Sequence, residues 1–218
     1  MDLRLDDVEA RVLGCLLEKE AATPEYYPLS LNALVNACNQ KSNREPVVSY
    51  DQGMVEDALD GLRGKGLAVR ITGADMRVPK HAHRLAEVFN FGRRESALLC
   101  LLLVRGPQTP GELRGRAERL HRFDDLDAVE ATLQRLMEWQ PAPLVARLPR
   151  QAGSREARYA HLLSGPPAAE PEAAPAEAAS RRGVPSDDEL RQLSSAIDGL
   201  QREVADLKQQ LENLRKLR

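Results

Sequence analysis

Apolar residues recur at helical spacing three times within residues 1–91. The first set predicts a helix over residues 6–18, Ser30 is suited to cap a second helix, and Asp51, with Ser49 before it, opens a third. Strand-like residues then surround a turn within residues 67–79, which predicts a small β-hairpin. This segment therefore combines three helices with one hairpin.

The same order repeats in residues 92–165. A helix from Arg93 stops at Gly106 and Pro107, Thr109 begins a capping box, and a third helix is predicted over residues 125–139. Residues 144–163 supply a second hairpin. Three helices followed by a hairpin is the order of a winged helix. The predicted fold class is therefore mainly α with small β-hairpins (α+β), built from two tandem winged-helix domains, residues 1–91 and 92–165.

The remaining sequence divides into a linker and a heptad repeat. Residues 166–185 are rich in Pro, Ala and Glu and predict a flexible linker. Residues 186–218 carry apolar side chains at alternating spacings of three and four, which predict a parallel two-stranded coiled coil and hence a homodimer. The alternative is one long amphipathic helix folded back on the globular part. The predicted dimer interface consists of Leu190, Leu193, Ile197, Leu200, Val204, Leu207, Leu211 and Leu214.

Composition excludes several classes of protein. A net charge of -2 and a pI near 6.1 exclude a uniformly basic, histone-like DNA binder. The longest apolar run, residues 97–104, is far shorter than the roughly 18 residues of a membrane span, and the N-terminus is too charged for a signal peptide. We therefore expect a soluble, cytoplasmic protein with no membrane partner.

One segment carries a family resemblance. Residues 23–47, TPEYYPLSLNALVNACNQKSNREPV, closely resemble the signature of the YceH-like family of bacterial proteins. The stretches RGPQTPGELRGRA and SREARYAHLLSG match the second half of that family. The resemblance covers residues 3–165 and extends to a C-terminal coiled coil. It implies a tandem winged-helix fold and brings no established activity, substrate or catalytic residue.

Charge is distributed unevenly between the two predicted domains. Residues 1–91 carry a net charge of -3, whereas residues 92–165 carry +3, all of the positive charge being arginine. The third helix of each domain, which reads the DNA groove in many winged helices, is acidic here. Phosphates would repel both helices.

The arginines of the second domain are the first candidate nucleic-acid surface, because guanidinium groups bind phosphate in a bidentate manner. The alternative is a solvated surface of salt bridges. These candidates lie on the second helix and the hairpin, and they are Arg114, Arg116, Arg147, Arg150, Arg155 and Arg158.

The polar stretch at residues 39–46, NQKSNREP, is the second candidate. Its side chains can donate hydrogen bonds to phosphate or to the backbone of a partner protein, and Lys41 and Arg44 are the expected contributors. The alternative is ordinary turn and capping chemistry, which Asn and Ser favour.

Catalytic and metal sites have little support in the sequence. Cys15, Cys38 and Cys100 occur in apolar helical patterns that predict buried packing, and His81 and His83 lack further ligands nearby. No phosphate-binding loop, dinucleotide motif or zinc motif is present in the sequence. We therefore expect no enzyme, metal, cofactor or small-molecule substrate. The aromatic residues Tyr26, Tyr27 and Trp139 are expected to be core or interface anchors.

Two functions remain open. In the first, the protein is a DNA-associated regulator that binds through the arginine-rich second domain. In the second, the winged helices are docking modules of a protein-interaction scaffold. The acidic third helices favour the scaffold, whereas the arginine-rich hairpin and the usual function of the fold favour DNA.

Overall fold

A computed structural model describes residues 3–74, 76–150 and 156–166 of the chain. Within these residues the protein is a mixed α and β structure that is mainly helical, with small antiparallel sheets. Most of the predicted linker, the predicted coiled coil and its eight apolar interface residues lie outside the described residues.

The first half contains three helices, a short strand and a hairpin, followed by a one-turn helix. Its elements are α1 (Asp7–Ala22), a 3-10 turn (Pro24–Tyr26), β1 (Leu29–Ser30), α2 (Leu31–Cys38), α3 (Gln52–Gly64), β2 (Ala68–Ile71), β3 (Lys80–His83) and α4 (Leu85–Phe89).

The second half repeats three helices and a hairpin. Its elements are α5 (Arg93–Arg105), α6 (Pro110–Ala117), α7 (Leu126–Met137), β4 (Val145–Arg147) and β5 (Tyr159–His161).

Local capping chemistry fixes where the helices begin. The side chains of Ser30, Asp51, Thr109 and Asp125 each accept a hydrogen bond from a backbone N–H in the first turn of the following helix. These bonds satisfy donors that a helix start otherwise leaves unpaired. The predicted starts of α2, α3, α6 and α7 are therefore confirmed.

The two halves also share a sheet arrangement that the sequence did not indicate. In the first half the strand order is β1-β3-β2. In the second half Gln108 takes the place of β1, because its backbone exchanges two hydrogen bonds with Tyr159 of β5, and β5 in turn pairs with β4. Strands of one or two residues are too short to show an alternating pattern, so both first strands were missed.

The first hairpin differs from its prediction. The sequence predicts the returning strand at residues 77–79, but the strand is β3, residues 80–83, which pairs with β2 from Ile71 to Ala68. Val78, the apolar residue of the predicted strand, is exposed in the connecting loop, as is Met76 of the predicted turn. The sequence also gave no sign of α4, whose single turn ends at Asn90 in the left-handed conformation (φ 50°).

Helices α1 and α5 join the two halves in one hydrophobic core. Gly14 of α1 faces α5 so closely that a Cβ at this position would lie 2.7 Å from Val104 Cγ1 and 2.9 Å from Leu103 Cβ. Because real Cβ atoms essentially never approach this closely, glycine is required for the observed helix separation. The three cysteines are buried, as predicted.

The aromatic residues divide into anchors and one exposed ring. Trp139 packs edge-on against Phe91 at a centroid distance of 4.9 Å, and the Tyr27 hydroxyl accepts a hydrogen bond from the His83 N–H at 2.7 Å, so both predicted anchors are confirmed. The prediction for Tyr26 is wrong, because its side chain is 72% exposed in the 3-10 turn.

Candidate functional site

Arg44 holds the polar loop of residues 39–46 to the body of the protein. Its side chain is 0% exposed and pairs with both carboxylate oxygens of Glu18, at 3.0 and 2.5 Å. Its guanidinium also donates to the carbonyls of Ala37 and Asn43 and to the Gln40 side chain. All its nitrogens are therefore occupied, and Arg44 does not face solvent as a phosphate ligand would.

The loop carries Lys41 on its exposed outer side. Its other end is fixed to the end of α5, because the Glu45 N–H donates to the Val104 carbonyl at 2.9 Å and Arg105 donates to Asn43 Oδ1. Asn43 has a φ of 61°, a left-handed conformation that asparagine tolerates better than most residues. The loop is thus placed directly beside the second half of the protein.

Arg105 brings this loop next to α6. Burial lowers the pKa of Arg105, and the positive charges of Arg116 and Arg44 lower it further. Arg116 donates to Gln108 Oε1 at 2.8 Å and pairs with Glu112 at 3.1 Å. Two basic segments that are distant in sequence therefore meet at the end of α5.

The second sheet carries a further exposed cation on the face that includes Gln108, the hydrogen-bond partner of Arg116. Gln108, Tyr159 and Arg147 are directly paired across three neighbouring strands, so their side chains lie on one face of the sheet. Arg147 is exposed at the outer strand. We call the surface formed by Lys41, Arg105, Arg116 and Arg147 the basic stripe. The sequence did not single out Arg105, because its position before Gly106 is that of an ordinary helix end.

The remaining predicted arginines are placed differently. Arg114 is two residues from Arg116, about 200° around the helix, and donates to the Asp124 carbonyl at 2.8 Å. Arg114 therefore belongs to the side of α6 that faces the start of α7. Arg150 is exposed beyond β4 and Arg158 is partly buried before β5. Arg155 lies outside the described residues.

Both third helices present acidic faces to solvent, as predicted. Glu56, Asp57 and Asp60 are exposed on α3, and Asp127 and Glu130 are exposed on α7. Positive charge on α3 is limited to its last turn, where Arg63 pairs with Asp60. Neither helix offers a phosphate-binding face.

His83 and Cys100 are buried in surroundings that are typical of structural residues. His83 Nε2 lies 2.9 Å from Glu20 Oε2, and burial lowers the His83 pKa although Glu20 raises it. Burial raises the pKa of Cys100 well above its usual range, and its thiol donates to the Gly14 carbonyl at 3.4 Å. Such a thiol is kept protonated and has little nucleophilic character. Among residues 3–74, 76–150 and 156–166, no group of three or more possible metal ligands occurs.

Comparison with known proteins places the chain in a family. Residues 5–154 match the family described as "Protein of unknown function, DUF480". A "UPF0502 protein" from Solibacter usitatus is 56% identical over 216 residues, covering 99% of this chain and 98% of that protein. Another from Pelobacter propionicus is 52% identical over 217 residues, again covering 99% and 98%.

A third relative, a UPF0502 protein from Koribacter versatilis, is 60% identical over 163 residues, which cover 75% of each chain. None of the helices in the described residues is long and apolar enough to cross a membrane. The high identity over almost the whole sequence agrees with the resemblance carried by residues 23–47. The chain therefore belongs to the DUF480 family, whose bacterial members carry the name UPF0502.

Proposed function

We propose that this protein is a tandem winged-helix protein that contacts the nucleic-acid backbone through the basic stripe. The observation that carries the proposal is the meeting of the Lys41 loop with Arg105 and Arg116 at the end of α5. A group of cations of this kind complements a phosphate backbone in charge.

The repeated topology supports the winged-helix assignment. In each half a short first strand precedes the second helix and pairs with the last strand of the hairpin, which lies in the middle of the sheet. The hairpin of the second half then carries Arg147 and Arg150 as the basic wing.

Binding through the wing and α6 differs from the common winged-helix mode, in which the third helix enters a DNA groove. Because α7 is acidic and exposed, contact through the wing and α6 keeps the phosphates away from its carboxylates. Binding through backbone contacts alone carries little sequence information. We therefore expect weak affinity for a single chain and little preference between duplex sequences.

Fluorescence anisotropy of a labelled random duplex, titrated with the full chain at several salt concentrations, tests the proposal. Five phosphate contacts, the four of the basic stripe and Arg150, predict a slope of log affinity against log salt of about −4.5. The double variant Arg147→Ala/Arg150→Ala is expected to reduce that slope by about 2. The matched control is Arg70→Ala/Arg77→Ala, which removes two exposed arginines from the first hairpin and is expected to leave the slope unchanged.

Two results would contradict the proposal. One is the absence of any duplex binding at low salt. The other is an equal loss of binding in both double variants, which would indicate a response to net charge instead of contact through the wing.

A protein-docking function is the second candidate, and the first half provides its support. The exposed apolar residues Met54 on α3 and Val69 on β2 accompany the acidic side chains of α3. An exposed surface that is both apolar and acidic suits a basic protein partner. This function predicts a partner recovered at moderate salt and lost when Met54→Ser and Val69→Ser are combined, with no effect of Arg147→Ala/Arg150→Ala.

We also propose that the chain is a homodimer through the heptad repeat of residues 186–218. The support is the uninterrupted series of apolar a and d positions. Two chains joined in this way would combine weak sites by effective concentration. In sedimentation the full chain is expected to be a dimer and residues 1–165 a monomer. A dimeric 1–165 fragment would assign association to another surface.

A further inference from the structure

A cavity of about 590 Å³ lies where α1, the segment before α3 and the region after β5 meet. Arg11 and Tyr50 contribute to it from the first half, and Leu102 and His161 from the second, with Ser164 from the segment that follows β5. No residue of the basic stripe lines this cavity. It is large enough for a small organic molecule.

Three of the residues that line this cavity each have a buried polar atom without a hydrogen-bond partner. Within the described residues, five buried side-chain nitrogen or oxygen atoms lack a hydrogen-bond partner. Three of them, Arg11 Nε, His161 Nδ1 and Ser164 Oγ, belong to residues that line the cavity. Leaving a buried polar group unpaired is costly, so such groups normally have a partner in the functioning molecule.

Arg11 adds an electrostatic reason to expect a ligand. It is only 4% exposed, yet its guanidinium donates only to backbone carbonyls, of Pro46 at 2.7 Å and Cys38 at 3.4 Å. In contrast to Arg44, it has no carboxylate partner in the part of the chain that the structure describes. A buried charge normally has a counter-charge.

The rest of the lining fits an apolar body on the ligand. Pro107 and the edge of Leu103 provide hydrocarbon surface. Asp7 and Glu45 are the acidic residues of the lining, and both are exposed. Burial lowers the His161 pKa to about 4, so at neutral pH His161 offers a neutral hydrogen-bonding ring.

We propose that this cavity binds a small organic monoanion, a carboxylate with a short apolar chain. The side chains of Arg11, His161 and Ser164 would turn toward the cavity to donate hydrogen bonds to the carboxylate, and the chain would contact Leu103 and Pro107. This site is independent of the basic stripe and of nucleic-acid binding.

Isothermal titration of the full chain with octanoate tests the site, and octan-1-ol serves as the uncharged probe. We expect one octanoate per chain, octanol binding at least about tenfold weaker, and a rise in Tm with octanoate concentration. The variants Ser164→Ala and His161→Phe each remove an unpaired atom without breaking a hydrogen bond seen in the structure. Each should weaken octanoate about fivefold.

The matched control is His121→Phe, the same exchange at a histidine that packs against Phe123 outside the cavity. It should bind octanoate normally. Thermal melting of every variant confirms that it is folded, and Ser164→Ala is expected to melt no lower than the parent protein. The proposal is overturned if millimolar octanoate gives no binding heat. It is also overturned if octanol binds equally well, or if the cavity variants and His121→Phe behave alike.

Discussion

Replacing Arg44 by methionine is expected to cost a large part of the stability of the protein. Methionine fills a similar length of space but removes both hydrogen bonds that Arg44 donates to Glu18, which keeps only the more distant Lys19 at 3.7 Å, and it frees the carbonyls of Ala37 and Asn43. Because the Arg44 side chain is fully buried, water does not replace these bonds. Breaking one side of a buried ion pair costs about 3–5 kcal/mol.

This loss is large against the whole stability of a domain, about 5–15 kcal/mol. For a unit of this size it corresponds to a fall in Tm of about 6–20 °C. Urea unfolding followed by circular dichroism should show the midpoint falling by about 2 M with an unchanged m-value.

Two further variants separate the buried pair from general effects of removing an arginine. Arg147→Met changes an exposed arginine and should alter stability by less than about 0.5 kcal/mol. Adding Glu18→Gln to Arg44→Met removes the stranded charge and should recover about 1 kcal/mol or more. If Arg44→Met costs less than about 1 kcal/mol, the loop is not held by this ion pair and the reasoning is refuted.

Three other predictions concern the core and the half-buried His161. Gly14→Ala should cost about 1–3 kcal/mol in urea unfolding, because the new methyl group overlaps Val104; an unchanged midpoint would contradict the close contact of α1 and α5. Trp139→Ala should cost about 2 kcal/mol through the lost contact with Phe91, and unaltered stability would show that this ring is not an anchor. Burial lowers the pKa of His161 to about 4 in the folded chain, so between this pH and about 6.5 the unfolded chain binds a proton at His161 and the folded chain does not. Stability should therefore fall by up to about 3 kcal/mol as the pH drops from about 6.5 to 4, and His161→Phe should reduce this fall.

The sequence contained enough information to locate most elements, because capping and periodicity are local properties. Ser30, Asp51, Thr109 and Asp125 all cap helices where the pattern of residues predicted it. The strand pairings of β1 and Gln108 depend on distant partners and have no local signal. A sequence pattern therefore identified the helices more reliably than the sheets.

The candidate site shows the same limit more clearly. Lys41 and Arg44 are near neighbours in a polar loop, and nothing local distinguishes the exposed cation from the buried one. The difference arises from Glu18, 26 residues earlier, because the ion pair with its carboxylate holds Arg44 in a buried position. In the same way, Arg114 and Arg116 are close in sequence, but two residues span about 200° around a helix, so their side chains lie on opposite sides of α6.

The packing of Gly14 against α5 has a consequence for how the molecule unfolds. Helices α1 and α5 are the first helices of the two repeated halves. They pack against each other, so the buried residues of both halves form one core. Opening one half would expose the buried leucines of its neighbour to water, so neither half has an independent folded state of low energy. We expect the slowest-exchanging amides of α1 and α5 to share one opening free energy. Hydrogen exchange should therefore identify both halves as a single cooperative folding unit, although the chain repeats the same order of elements twice.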